Sequence, residues 1–401
     1  MLQTLPLVFV LVGLVLYTVL AGADFGAGIW RLVSDRGTRG QALREHANHS
    51  MGPVWEANHV WLIFVLTVTW TAYPSFFGSV ASTLAVALFL AGVGIILRGA
   101  GYALRSGVRS DRELALIDGA FAVASLITPF ALGAAAGGIA AERVPVGNAA
   151  GDLFASWTGP VSILAGVLAV VFSAYLAAVY LAADAAREHP ELVEPFRRRA
   201  LAAGLAAGAV AAAGLGVLHA DAHSLYAGLL SRGALACVIV SALAGAATLG
   251  FVIVGRFEAA RYGAGLAVAG VIAGWAIARY PTLLPGLSVH RAAAGHDTLV
   301  TLIVAVVAGG ALLFPALGLL FSLTLRGRLA PGESTPEPIR AARPLGGAVR
   351  ARLAVALLIV GIGMLNAASA PWAHAVGVVS LFAFMIVAFA SLVPAALADE
   401  G

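Results

Sequence analysis

Lysine is absent from this 401-residue chain: all 24 of its basic residues are arginine. Cysteine occurs once, at Cys237, which excludes a disulfide framework and any cysteine-held metal or iron–sulfur site. Charged residues are scarce, at 11%, where soluble domains carry about a quarter. No nucleotide-binding glycine loop, nucleophile elbow or zinc motif occurs. No hydrophilic stretch is long enough to fold into a separate catalytic domain. What fills the chain is apolar: 61% hydrophobic residues and a mean hydropathy of +0.95. The net charge of +4 and the basic pI of about 9.6 do not describe a nucleic-acid groove. The arginines lie between apolar runs, as membrane topology requires. The first apolar run has no basic leader and no small-residue cleavage site, so it reads as a retained helix.

Apolar runs at about 4–30, 57–77, 79–102, 116–141, 157–182, 200–218, 234–255, 261–279, 298–325, 353–371 and 373–396 predict eleven helices. Each approaches the ~20 residues needed to cross a bilayer, and continuous runs of this kind exclude barrel strands. The expected fold class is therefore all-α, a polytopic transmembrane helix bundle. Only Arg143, Arg232, Arg279 and Arg291 lie outside the odd-numbered loops and their flanks. With positive charge kept inside, the N-terminus faces out, the odd loops face the cytoplasm and the C-terminus lies within. Residues 326–352, holding Pro331, Pro336, Pro338 and Pro344, form the one linker-like stretch. The pairs Gly22/Gly26, Gly133/Gly137 and Gly204/Gly208 are spaced for close helix packing.

Ionisable groups inside a membrane cost about 2.5–3.5 kcal/mol each on insertion scales, so each is a functional candidate. Asp24, in Gly22-Ala23-Asp24-Phe25-Gly26-Ala27-Gly28, is either a structural carboxylate or a proton-transfer group. At the head of the second run, Trp55-Glu56-Ala57-Asn58-His59-Val60-Trp61 places Trp55, Glu56 and His59 on one helical face and Asn58 with Trp61 on another. A carboxylate beside an imidazole at a membrane mouth suits proton uptake; the alternative is a helix cap with interfacial tryptophans. Asp118 opens the fourth run, as a proton group or as a carboxylate favoured by the helix dipole. His219 and His223 are spaced to bind metal if helical, but without a further ligand nearby they read as a solvated loop. His290, His296 and His374 also read as solvated, and no metal site is expected. A cluster of carboxylates at one face fits either a proton-coupled transporter or a subunit of a respiratory complex.

The N-terminal third resembles subunit II of cytochrome bd quinol oxidases. The resemblance rests on the Gly22–Gly28 run, on Trp55-Glu56-x-Asn58-x-x-Trp61-Leu62, on Ala72-Tyr73-Pro74, on the segment from Arg98 to Arg105, and on Asp118-Gly119. It is strong over about 15–139 and continues in hydropathy to about 325. It implies two four-helix bundles with peripheral helices, here 1–141 and 156–279, followed by a further helix at 298–325, the linker, and a hairpin at 353–396. It implies a chain without haem or catalytic residue of its own in a cell-membrane respiratory complex. Haems b and d and the quinol chemistry would reside on a partner subunit I, with lipid and the quinone pool as further partners. Glu56 matches the family's acid on a proton path, joined here by Asp24, Asp118 and His59. Trp61 matches a tryptophan near oxygen access, grouped here with Trp55, Asn58 and Arg98. The chain departs from the family at Ala103, at His59 and in its two final helices.

Overall fold

The computed structural model describes residues 1–34, 37–105, 111–325, 345–367 and 370–392. Within these, the side chains at 51–57, 105, 111–115, 314, 316–325, 345–348, 351, 365–367, 371, 374, 385 and 388–392 lie outside the description. Helices dominate: α1 (Leu5–Leu32), α2 (Thr38–Ala72), α3 (Pro74–Thr83), α4 (Ala85–Arg105), α5 (Asp111–Ala140), α6 (Pro160–Glu188), α7 (Val193–Asp221), α8 (His223–Leu229), α9 (Arg232–Ile253) and α10 (Phe257–Arg279). A two-stranded hairpin, β1 (Thr282–Leu284) and β2 (Leu287–Ser288), precedes α11 (Val289–Ala292) and α12 (His296–Leu325). The chain continues through α13 (Leu345–Ala367) and α14 (Pro371–Leu392). Contacts divide it into two compact units, Met1–Pro315 and Ala316–Gly401. In the second unit α13 packs along α14.

Among the described residues eight helices are long and apolar enough to cross a membrane. Shorter apolar stretches at Asn58–Ala72, Arg352–Met364 and Ala375–Phe384 supply three more. Together they account for the eleven apolar runs.

The first unit is organised around α6, which packs against α1, α5, α7 and α10. Its residues Leu176, Ala177, Ala178, Val179, Leu181 and Ala182 are fully buried, and a helix apolar on all sides belongs at the centre of a bundle. Small residues allow the close approach. A methyl group on Gly26 would collide with the Ser173 backbone of α6, and one on Gly137 would meet the Ser162 Cα at 2.6 Å. Gly208 differs from expectation, because a methyl there would meet nothing within 4 Å. Apolar side chains such as Phe89 and Ile96, 71% and 70% exposed, turn outward as lipid-facing residues must.

Three boundaries differ from the sequence expectation. Helix α2 begins at Thr38, well before the apolar run at 57. Its polar first turns are helical because Leu43, His46 and Ala47, on one face, are buried; Leu43 and Ala47 join the apolar core around α6. The run at 79–102 is divided at Leu84, between α3 and α4. Residues 219–223 are helix ends, not a loop: the His219 and His223 rings meet edge to face at 5.3 Å, and Asp221 is held by Arg143 at 2.9 Å. At the same end of the bundle Arg279 donates to Glu142, which also accepts from Ser224 at 2.9 Å.

Candidate functional site

Helix α1 carries Asp24 in a run of small residues, which brings its backbone against α5 and α6. Nothing larger fits: a methyl on Gly28 would collide with the Ser125 hydroxyl and stand 2.8 Å from the Arg98 guanidinium. Asp24 and Arg98 are both buried, and their side chains pair at 2.6 Å. The same guanidinium donates to the Asp24 carbonyl at 3.1 Å and to the Ser125 hydroxyl on α5. Its flat faces lie against Phe121, 4.2 Å from the ring centre, and Phe25 at 5.0 Å. Arginine suits this place because its planar fork can satisfy several acceptors and still stack on aromatic rings.

Tyr102 lies one turn beyond Arg98 on α4 and donates to Asp24 Oδ1 at 2.8 Å. Both donors therefore engage one carboxylate oxygen, while Oδ2 is buried without a hydrogen-bond partner. On its other side Tyr102 lines a cavity of about 110 Å³, together with Arg31, Asn48, Gly101, Ile117, Asp118 and Phe121. That volume holds several waters. Asp118 forms its rim, 34% exposed and paired with Arg31 at 2.8 Å. Asp118, the cavity, Tyr102 and Asp24 thus lie in succession.

Helix α2 contributes the neighbouring group. Asn58 is fully buried, with neither atom of its amide hydrogen-bonded. His59 is partly buried beside it. Trp61 packs on the α1 cluster of Tyr17, Ala21 and Phe25, and its ring meets Phe64 edge to face at 6.3 Å. Trp55 and Glu56 belong to α2, but their side chains lie outside the described residues.

The structure joins Asp24, Arg98 and Asp118 through side chains that sequence reasoning passed over. Tyr102 stands four residues after Arg98, the spacing of one helical face, which was the available signal. Arg31 reads in sequence as a topology marker, and only the fold turns it towards Asp118.

The chain matches the family described as "Cytochrome bd terminal oxidase subunit II" over residues 2–324. It belongs to that family. Its curated relatives include "Cytochrome bd-I ubiquinol oxidase subunit 2" of Escherichia coli strain K12 and of Escherichia coli O157:H7, each 29% identical over 182 residues. Those matches cover 43% of this chain and 47% of each relative, so the chain spans about half the length of the curated relatives it matches. A solved chain in "The structure of bd oxidase from Geobacillus thermodenitrificans" shares the fold, with a TM-score of 0.63 and 24% identity, over 81% of this chain and 99% of that one. Family and helices together make this a multi-pass inner-membrane protein of the subunit II class.

Proposed function

We propose that this chain is the haem-free subunit of a quinol-oxidising, dioxygen-reducing complex, and that it lines a proton-uptake path to a reaction centre on a haem-bearing partner subunit. Membership of the subunit II family supports the assembly. The observation that carries the proton role is the continuity from half-exposed Asp118, through a cavity large enough for water, to Tyr102 and buried Asp24. The proposed path also takes in Glu56 and His59 of α2, with the arginine-rich side cytoplasmic. Trp61, packed on Tyr17, Ala21 and Phe25 of α1, shapes the adjoining wall.

Neither cavity among the described residues fits a haem. A haem needs a cleft of several hundred Å³ with an axial ligand aimed into it. The cavity beside Tyr102 is about 110 Å³ and no histidine lines it. The larger groove, of about 310 Å³, is walled by Leu126, Ile127, Phe130, Val167, Val170 and Val171, none of them able to ligate iron. Haems b and d and the quinone site belong, on this reading, to the partner subunit, as the family resemblance implies. This chain's residues position, exclude lipid and relay protons.

The test is co-purification from membranes, read by visible absorption. A haem-bearing partner that follows this chain through two chromatographic steps is expected. A chain that purifies free of haem protein and drives substrate-dependent proton flux alone would support a transporter instead.

A further inference from the structure

A second polar cluster stands where the first turns of α2 meet the end of α6, and it shares no residue with the proton route. His46 on α2, Glu188 at the end of α6 and His189 just beyond it bring one donor atom each to within 4.8 Å of one another. His46 is 4% exposed, and its Nε2 lies 3.2 Å from the Leu181 carbonyl. A carbonyl only accepts, so Nε2 carries the hydrogen and Nδ1 keeps its lone pair. That Nδ1 is buried with no hydrogen-bond partner. An imidazole tied through one nitrogen to a backbone carbonyl, with the other bare, is the arrangement metal-ligating histidines adopt.

Glu188 and His189 stand beside His46, both exposed. His189 precedes Pro190, which keeps it out of the helical region at φ −140° and ψ 71°, and its ring stands edge to face with His46, 5.5 Å between centres. Glu188 supplies a negative charge, and Glu191 adds another 3.4 Å from His189 Nδ1. Asp184, nearby, is taken by Arg261.

We propose that His46, Glu188 and His189 form a zinc site that fastens the polar turns of α2 to the end of α6. Two imidazoles and one carboxylate, with water in the fourth position, is a known zinc donor set. Tetrahedral zinc needs donors about 3.4 Å apart, so the exposed Glu188 and His189 side chains close the remaining gap by rotating. Nitrogen donors favour zinc over magnesium.

The test uses the purified complex, stripped with a chelator, dialysed against zinc ions with excess magnesium, and assayed for bound metal by mass spectrometry. Wild type is expected to hold one more zinc per chain than His189→Gln or Glu188→Gln, each of which lowers affinity at least about tenfold. Both substitutions are at exposed positions, so folding is preserved where His46→Gln would put it at risk. Equal zinc content in wild type and both variants overturns the proposal, as does a wild type that retains none. The outcome does not depend on which partner the chain assembles with.

Discussion

Tyr102 and Arg98, one helical turn apart on α4, both engage the same oxygen of Asp24, at 2.8 and 2.6 Å. The arrangement ties α1 to α4 through a single buried carboxylate oxygen. Removing one partner of a buried ion pair leaves an uncompensated charge, at a cost of about 3–5 kcal/mol. Arg98→Met or Asp24→Asn alone should therefore lower the thermal midpoint of the purified complex sharply. The double variant should recover much of the loss. Thermal midpoints of the three variants check this, and strictly additive losses would show that the pair is not coupled.

Asp118→Asn and Glu56→Gln should slow oxygen consumption by about tenfold or more, equivalent to ~1.4 kcal/mol on the barrier, without reducing assembly. Both substitutions keep shape and remove a titrating group. The haem spectrum reports assembly and an oxygen electrode reports turnover. Wild-type turnover in both variants would remove these residues from the path.

Gly26 approaches the Ser173 backbone too closely for any side chain. Gly26→Ala should cost about 1–3 kcal/mol through overpacking and reduce the folded chain recovered from membranes. Gly208→Ala, facing open space, should be neutral or mildly stabilising, since alanine is the better helix former by roughly 1 kcal/mol. Comparing the two by thermal unfolding separates close packing from helix propensity.

The Arg279 guanidinium, helped by the Ser224 hydroxyl, holds the Glu142 carboxyl below its ordinary value of 4.5. A group depressed in the folded state binds more protons when unfolded. Its stabilisation is then complete above the ordinary value and is lost as pH falls through the lowered one. The thermal midpoint of wild type should exceed that of Glu142→Gln at neutral pH, and the gap should close on acidification below about 4.5. A gap that does not change with pH would mean that the ion pair contributes nothing.

The spanning segments were legible in the sequence because a bilayer demands long uninterrupted apolar runs, and each of the eleven runs overlaps a described helix. The start of α2 was not, since its polar turns carry Arg39, Arg44 and His49 and its buried face shows only in Leu43, His46 and Ala47. Asp24 stood out as an expensive residue in lipid. Its partner Arg98 could be found only in three dimensions, because the pairing crosses two helices distant in sequence. His46 and His189 carried no signal in the sequence, because only the fold brings α2 and the end of α6 together.

The length of α2 has one more consequence. Its end is pinned at the level of the chain's first residues, where Tyr73 donates to the Gln3 carbonyl at 2.8 Å. From there back to Thr38 the helix runs 35 residues, a rise of about 52 Å against a hydrocarbon slab of about 30 Å. The helix is therefore about 20 Å longer than the slab is thick, and its first turns, with Leu43 and Ala47 buried in the core around α6, take up that excess. Arg39, Arg44 and His49 can then stand outside the hydrocarbon, where charge is cheap to place.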